Sequence, residues 1–274
     1  MGIWKSCGIY RQTVRKDITL KKKGNILELL KKQILELSQS YGLISLKGGT
    51  EWEDMNYDEI AFLNSLGVPK IPSTIKIAGA EARVDIRNLK EIGVGVILGP
   101  MIESSYALEK FVTTVSEIYK TSKQQPTLAI NIETINAVKN IDSIVTNSYF
   151  KEIDMVVIGR LDLSLSAGET NVDHPKVTDL TNQIIDKVQE HGKNVSIGGF
   201  VNPKSAKIIQ STMNANRINT LHALIDINKT PDISKSVELA IQFEIAFYEA
   251  MKKITPQRIT FYDHRIAISK KKLV

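Results

Sequence analysis

The 274-residue chain predicts an α/β fold of the (β/α)8 TIM-barrel class, and three observations carry that reading. Short β-branched runs alternate with longer amphipathic stretches through the middle of the sequence, the pattern of βα units and a parallel sheet. The length suits one β/α barrel. No G-x-G-x-x-G turn follows any candidate strand, which leaves the structural alternative, an open dinucleotide-binding sheet, with little support.

Strands are predicted over 43–47, 74–77, 94–98, 127–132, 155–158, 194–197 and 218–223. Helices are predicted over 25–40, 57–66, 80–92, 104–122, 135–147, 175–191, 203–213 and 233–253. Gly93 and Gly192 each stop a helix just before a strand, as a left-handed C-terminal residue does. These strands are one short of a closed barrel; residues 7–12 are the candidate for the missing one, as an irregular first strand. Residues 1–253 read as a single barrel domain with a basic segment at 1–24. Residues 254–274 lack a clean period and are expected to be a basic tail or an arm reaching a neighbouring subunit.

The net charge of +6 sits at the ends. Residues 1–24 and 251–274 carry +6 each, which leaves −6 for the body between them. Basic ends of this kind are usually solvated, so specific nucleic-acid binding is not the expected use. No run approaches the roughly 18 apolar residues of a membrane span. The single cysteine, Cys7, cannot form an internal disulfide, and the expected setting is the reducing cytoplasm.

Active sites of β/α barrels lie at the C-terminal ends of the strands, so polar residues just past apolar strand cores are the candidates. They are Lys47, Lys76, Glu103, Glu133, Arg160 and Asp162. Glu133 and Asp162 are 29 positions apart, about one βα unit, so adjacent strands would bring the two carboxylates together. Two carboxylates with remaining water positions are a common way to hold Mg²⁺ or Mn²⁺. A helix-cap role is the competing reading for both.

Three blocks in register carry a family resemblance: Gly99-Pro100-Met101-Ile102-Glu103-Ser104, Asn131-Ile132-Glu133-Thr134, and the run from Ile158-Gly159-Arg160-Leu161-Asp162 to Ser164-Leu165-Ser166-Ala167-Gly168. They resemble the HpcH/HpaI aldolase and citrate lyase β-subunit family over about residues 41–225. The resemblance implies a barrel whose Glu133 and Asp162 ligate Mg²⁺ or Mn²⁺, and cleavage or formation of a carbon–carbon bond in a small 2-oxo or hydroxy acid, or its acyl-CoA thioester, through a metal-stabilised enolate. It also implies a homo-oligomer. On this reading Gly159 and Leu161 admit the substrate closely and Ser164 offers a hydroxyl to anionic oxygens; Arg160 stands where the family often has proline and is a candidate to bind a second carboxylate or a phosphate. A salt bridge from Arg160 to Glu133 or Asp154 is the competing assignment.

Two departures stand out. Many members carry an arginine on the third barrel strand; the comparable position here is Lys76, which supplies charge without the bidentate fork. The pyruvate-type members carry a catalytic histidine in a loop matched here by residues 48–54, which hold none. Glu51 or Glu53, or a metal-bound water, is the acid/base candidate in its place; the competing reading makes both ordinary loop carboxylates and is preferred for Glu53. Lys47, Glu81 and Glu103 are expected to form a polar ring that positions Lys76. A Schiff base on Lys76 is the competing chemistry. A barrel that has lost catalysis and serves as a binding or assembly subunit is the competing function, and polyanion binding through the basic ends a third. His222 is expected to be a satisfied core histidine and His174 a helix cap.

Overall fold

The computed structural model describes residues 24–67 and 69–274. Cys7, the candidate strand at 7–12 and nearly all of the basic segment at 1–24 lie outside the described residues. Eight strands within them close a barrel in sequence order. They are β1 (Leu43–Gly49), β2 (Ser73–Lys76), β3 (Val96–Gly99), β4 (Thr127–Ile132), β5 (Met155–Gly159), β6 (Asn194–Gly198), β7 (Arg217–Asn219) and β8 (Ala223–Asp226).

Strands β1 to β7 pair in parallel. β8 runs antiparallel to both β7 and β1. The reason is the connection. Residues 220–222 are too few for a crossover, so the chain must reverse into a hairpin, closed by the Thr220 amide donating to the Ala223 carbonyl at 2.9 Å. The single strand expected over 218–223 is therefore two strands and a turn, and β8 takes the place beside β1.

The helices wrap the barrel: α1 (Gly24–Ser40), α2 (Tyr57–Gly67), α3 (Arg83–Ile92), α4 (Ser105–Tyr119), α5 (Ile135–Lys139), α6 (Ile141–Val145), α7 (Arg160–Ser166), α8 (Pro175–Glu190), α9 (Pro203–Thr212), α10 (Ile233–Ile254) and α11 (Ile259–Lys271). Strand alternation sorts side chains between two apolar layers. Leu98, Ala129, Met155, Val157 and Leu224 fill the lumen, while Ile97, Ile130, Val156 and Ile158 face the helices in the main core. Polar pairs complete the lumen: Ser45 with Thr74 and Ser196 with Asn219, each at 2.8 Å.

The last residues are neither an arm nor a disordered tail. α11 packs on α10 through buried Tyr262 and Ile266. Tyr262 donates to the buried Glu59, Arg258 bridges Glu59 and Asp54, and Ser269 donates to Glu244. Among the described residues no helix is long and apolar enough to cross a membrane.

Candidate active site

The C-terminal ends of the strands open into a cavity of about 480 Å³. Its inner half is polar and built by four strand ends: Lys47 from β1, Lys76 from β2, Asn131 and Glu133 at β4, and Asp162 just past β5, joined by Glu53 from the β1–α2 loop. All but Asp162 are buried.

The two carboxylates singled out from sequence thus face one cavity. Glu133 accepts from the Met101 amide at 3.2 Å and from Asn131 Nδ2 at 2.6 Å. Burial pushes its carboxyl above the ordinary range; Lys76 and Asn131 pull it back, and the nearby Asp162 adds to the rise. Asp162 is raised too, chiefly by burial, against the pull of Lys76 and with a further push from Glu51. In both carboxyls the cost of burial outweighs the pull of Lys76, so each holds its proton more tightly than usual.

Lys76 supplies part of it. Its ammonium contacts Glu51. Burial lowers its pKa, but Glu53, Glu133 and Glu51 outweigh that penalty and the net shift is upward. Lys47 pairs with Glu53. For Glu53 the burial penalty is overcome by Lys47 and Lys76, which hold the carboxyl at about 2. The carboxylate expected to be an ordinary loop residue is thus a buried, permanent anion of the site.

Several expectations need correction. Arg160 is fully buried and turned away from the cavity, its Nη1 donating to Asp173 at 2.8 Å and to the Val172 carbonyl at 3.3 Å. Residues 155, 157 and 159 point inward, so residue 160 leaves the barrel on the opposite side. Its partner is neither Glu133 nor Asp154. Ser164 is buried inside α7, where its hydroxyl donates to the Leu161 carbonyl at 2.8 Å. The ring of Lys47, Glu81 and Glu103 does not form. Glu81 pairs with Lys110 at the surface, and Glu103 accepts from Thr134; Glu51 and Glu53 flank Lys76 instead. Gly159 and Leu161 do line the cavity.

His222 is fully buried, with Nδ1 2.9 Å from the Lys47 carbonyl oxygen and Nε2 2.8 Å from the Tyr248 hydroxyl. Burial lowers its pKa, so it stays neutral. His174 caps α8, accepting from the Lys176 amide at 3.3 Å.

The inner donor set is oxygen-rich, the chemistry hard divalent cations favour. Asn131 Oδ1 is buried without a hydrogen-bond partner, in the cavity that Glu133 and Asp162 also line. Among the described residues no group of three or more His, Cys, Asp or Glu side chains is arranged for a metal. A cation held here would therefore use Glu133 and Asp162 and complete its shell with water or substrate. The residues present fit that demand.

Residues 73–207 match the family model for HpcH/HpaI aldolase/citrate lyase. Over that segment the chain resembles an HpcH/HpaI aldolase/citrate lyase domain. That match spans β2 to α9 and includes both cavity carboxylates. Solved structures agree in fold. A citrate lyase from Burkholderia xenovorans LB400 is 14% identical, with 89% of this chain and 88% of that one covered and a TM-score of 0.57. An HpcH/HpaI aldolase from Desulfitobacterium hafniense DCB-2 is 18% identical over 67% and 78%, with a TM-score of 0.55. The citrate synthase SbnG is 19% identical over 71% and 81%, with a TM-score of 0.54. No curated protein matches the chain.

The outer half of the cavity was not foreseen. Trp52 and Phe200 stand at its rim, α11 adds Arg265, Ile268 and Lys271, and Lys272 follows at the C-terminal cap of that helix. The Gly198-Gly199-Phe200 run past β6 was the legible signal for one of these. For α11 there was none, because the residues that dock it are mostly polar.

Proposed function

We propose that this domain is a divalent-metal-dependent carbon–carbon lyase acting on a small 2-oxo or hydroxy acid or its CoA thioester. The observation that carries the reading is the pairing of Glu133 and Asp162 in one cavity, both pushed upward by burial, in a segment that matches a family of aldolases and lyases. Glu133 and Asp162 would hold Mg²⁺ or Mn²⁺, which when bound supplies Lewis acidity to a substrate carbonyl and to the enolate that bond cleavage leaves.

The chain's own residues do the rest. Lys76 is the cationic anchor for the substrate carboxylate, a point charge held in place by Glu51. Its raised pKa keeps the amine protonated, which disfavours nucleophilic attack on a carbonyl and so the Schiff-base route. Glu53 is committed as an anion and does not accept protons near neutrality. Glu51, whose side chain is 34% exposed, would take the proton of the substrate hydroxyl as the carbon–carbon bond breaks and return it to the enolate carbon. Asn131 orients Glu133 through the 2.6 Å hydrogen bond.

The test is a product screen. Hydroxy-acid and acyl-CoA libraries are incubated with the protein and Mn²⁺, and release of pyruvate, oxaloacetate or glyoxylate is followed, with Glu133→Gln as control. Metal-dependent release that the control lacks is the expected result. Release that persists without divalent metal, or equally in Glu133→Gln, would overturn the assignment and favour a barrel kept for binding or assembly.

A further inference from the structure

We infer that α11 builds a second anion subsite into the outer half of the same cavity, formed by Arg265, Lys271 and Lys272, for a carboxylate or phosphate at the far end of the substrate. The inference rests on the function proposed above and narrows it to substrates with two anionic ends.

Two cations of α11, Arg265 and Lys271, and Lys272 at its C-terminal cap contribute to the cavity wall. Among the described residues none of the three has a carboxylate within ion-pair distance. What they touch instead is aromatic or neutral. Arg265 lies 5.3 Å from the centre of the Trp52 ring and donates to the Trp52 carbonyl. Lys272 Nζ lies 5.8 Å from the centre of the Phe200 ring. The nearest opposing charge in energetic terms is Glu244. Burial raises its pKa, but Lys272 leads the groups that pull it down, and the net shift is downward. Glu244 is fully buried; its Oε1 accepts from the Leu221 and His222 amides at 2.7 and 3.2 Å and its Oε2 from the Ser269 hydroxyl. It cannot leave to neutralise the lysines.

The wall is also held in place. Ser269 donates to Glu244 at 3.3 Å and Tyr262 donates to the buried Glu59, so both turns of α11 that carry the cations are tied to the barrel. Cations that line a cavity outside ion-pair distance of any carboxylate, two of them against aromatic faces, are arranged to receive an anion. On the proposed function, Lys76 takes one acid group in the inner half. A substrate that spans the cavity therefore needs negative charge at both ends.

Calorimetry with three probes tests this: pyruvate, 2-oxoglutarate, which adds a second carboxylate, and 3-phosphonopyruvate, which adds a phosphonate. The wild-type protein is expected to bind at least one dianion about tenfold more tightly than pyruvate. Lys271 and Lys272 are on the outer rim, so Lys271→Gln/Lys272→Gln is expected to fold normally and to shrink that preference below about threefold. The stronger dianion tells a carboxylate subsite from a phosphate one. Equal affinity for pyruvate and both dianions, no detectable dianion binding, or a preference that survives the double substitution would each overturn the subsite. Failure of the metal reading looks different: Glu133→Gln would then leave Mn²⁺ binding unchanged whatever the probe preference.

Discussion

A Cβ on residue 159 would stand 2.3 Å from Glu133 Oε2 and 2.9 Å from Glu133 Cβ. The end of β5 must therefore be glycine for the β4 carboxylate to occupy its place. Gly159→Ala is expected to displace Glu133, costing roughly 1–3 kcal/mol of stability by overpacking and weakening Mn²⁺ binding in the protein that remains folded. Chemical denaturation and metal calorimetry on one preparation check both effects. Unchanged Mn²⁺ affinity in a folded variant would detach Glu133 from the metal role.

Lys76 carries a raised pKa because three carboxylates outweigh the burial penalty. Lys76→Ala is expected to weaken binding of a 2-oxo acid by about tenfold or more, and Lys76→Arg to retain part of the affinity, since charge survives and geometry changes. A competition titration against pyruvate measures both. Borohydride trapping of a covalent adduct on Lys76 would replace the anchor with a Schiff base.

Glu53 makes the fold acid-sensitive in a defined window. Its carboxyl is held at about 2 in the folded protein against an ordinary value of 4.5. A depressed carboxyl stabilises the fold fully above the unfolded value, and that contribution is lost as pH falls from 4.5 towards 2. Glu53→Gln is expected to unfold more easily near neutrality but to show a shallower loss of stability across that window. Parallel acid titrations of the two proteins, followed by circular dichroism, show whether the slopes differ.

Removing residues 260–274 is expected to lower thermal stability, because it exposes apolar surface on α10 and strips Tyr262 from buried Glu59 and Ser269 from buried Glu244. Each buried acceptor left without a partner costs about 1–3 kcal/mol. Glu133 and Asp162 come from other elements, so Mn²⁺ binding should persist in whatever fraction folds. A melting curve with and without Mn²⁺ separates the two effects.

The barrel was readable because its strands are runs of Ile, Val and Leu separated by amphipathic helices, and β4 matches its expected range of 127–132. The β7–β8 hairpin was not, because its turn, Thr220-Leu221-His222, has no glycine or proline to mark a reversal and holds a buried histidine. α11 escaped for a different reason. Its docking face includes Tyr262, Arg265 and Ser269, matched to polar partners, so no apolar period marks it as a helix. Glu133 and Asp162 were visible because Glu133 follows its apolar strand directly and Asp162 comes three residues after the end of β5. Arg160 was misread for want of one further step: strand alternation already turns residue 160 away from residue 159.

The central claim is that Asp162 shares a divalent cation with Glu133, and Asp162→Asn addresses it most directly. The amide keeps the size and most of the hydrogen bonding but removes one negative charge, so a helix-cap role would survive the change. Calorimetry with Mn²⁺ on the variant and its parent is the measurement. The account predicts a folded Asp162→Asn protein that binds Mn²⁺ much more weakly and loses at least about a hundredfold in turnover, roughly 2.7 kcal/mol of transition-state stabilisation. Equal Mn²⁺ affinity in the two proteins would contradict it and leave Asp162 a charge at the start of α7.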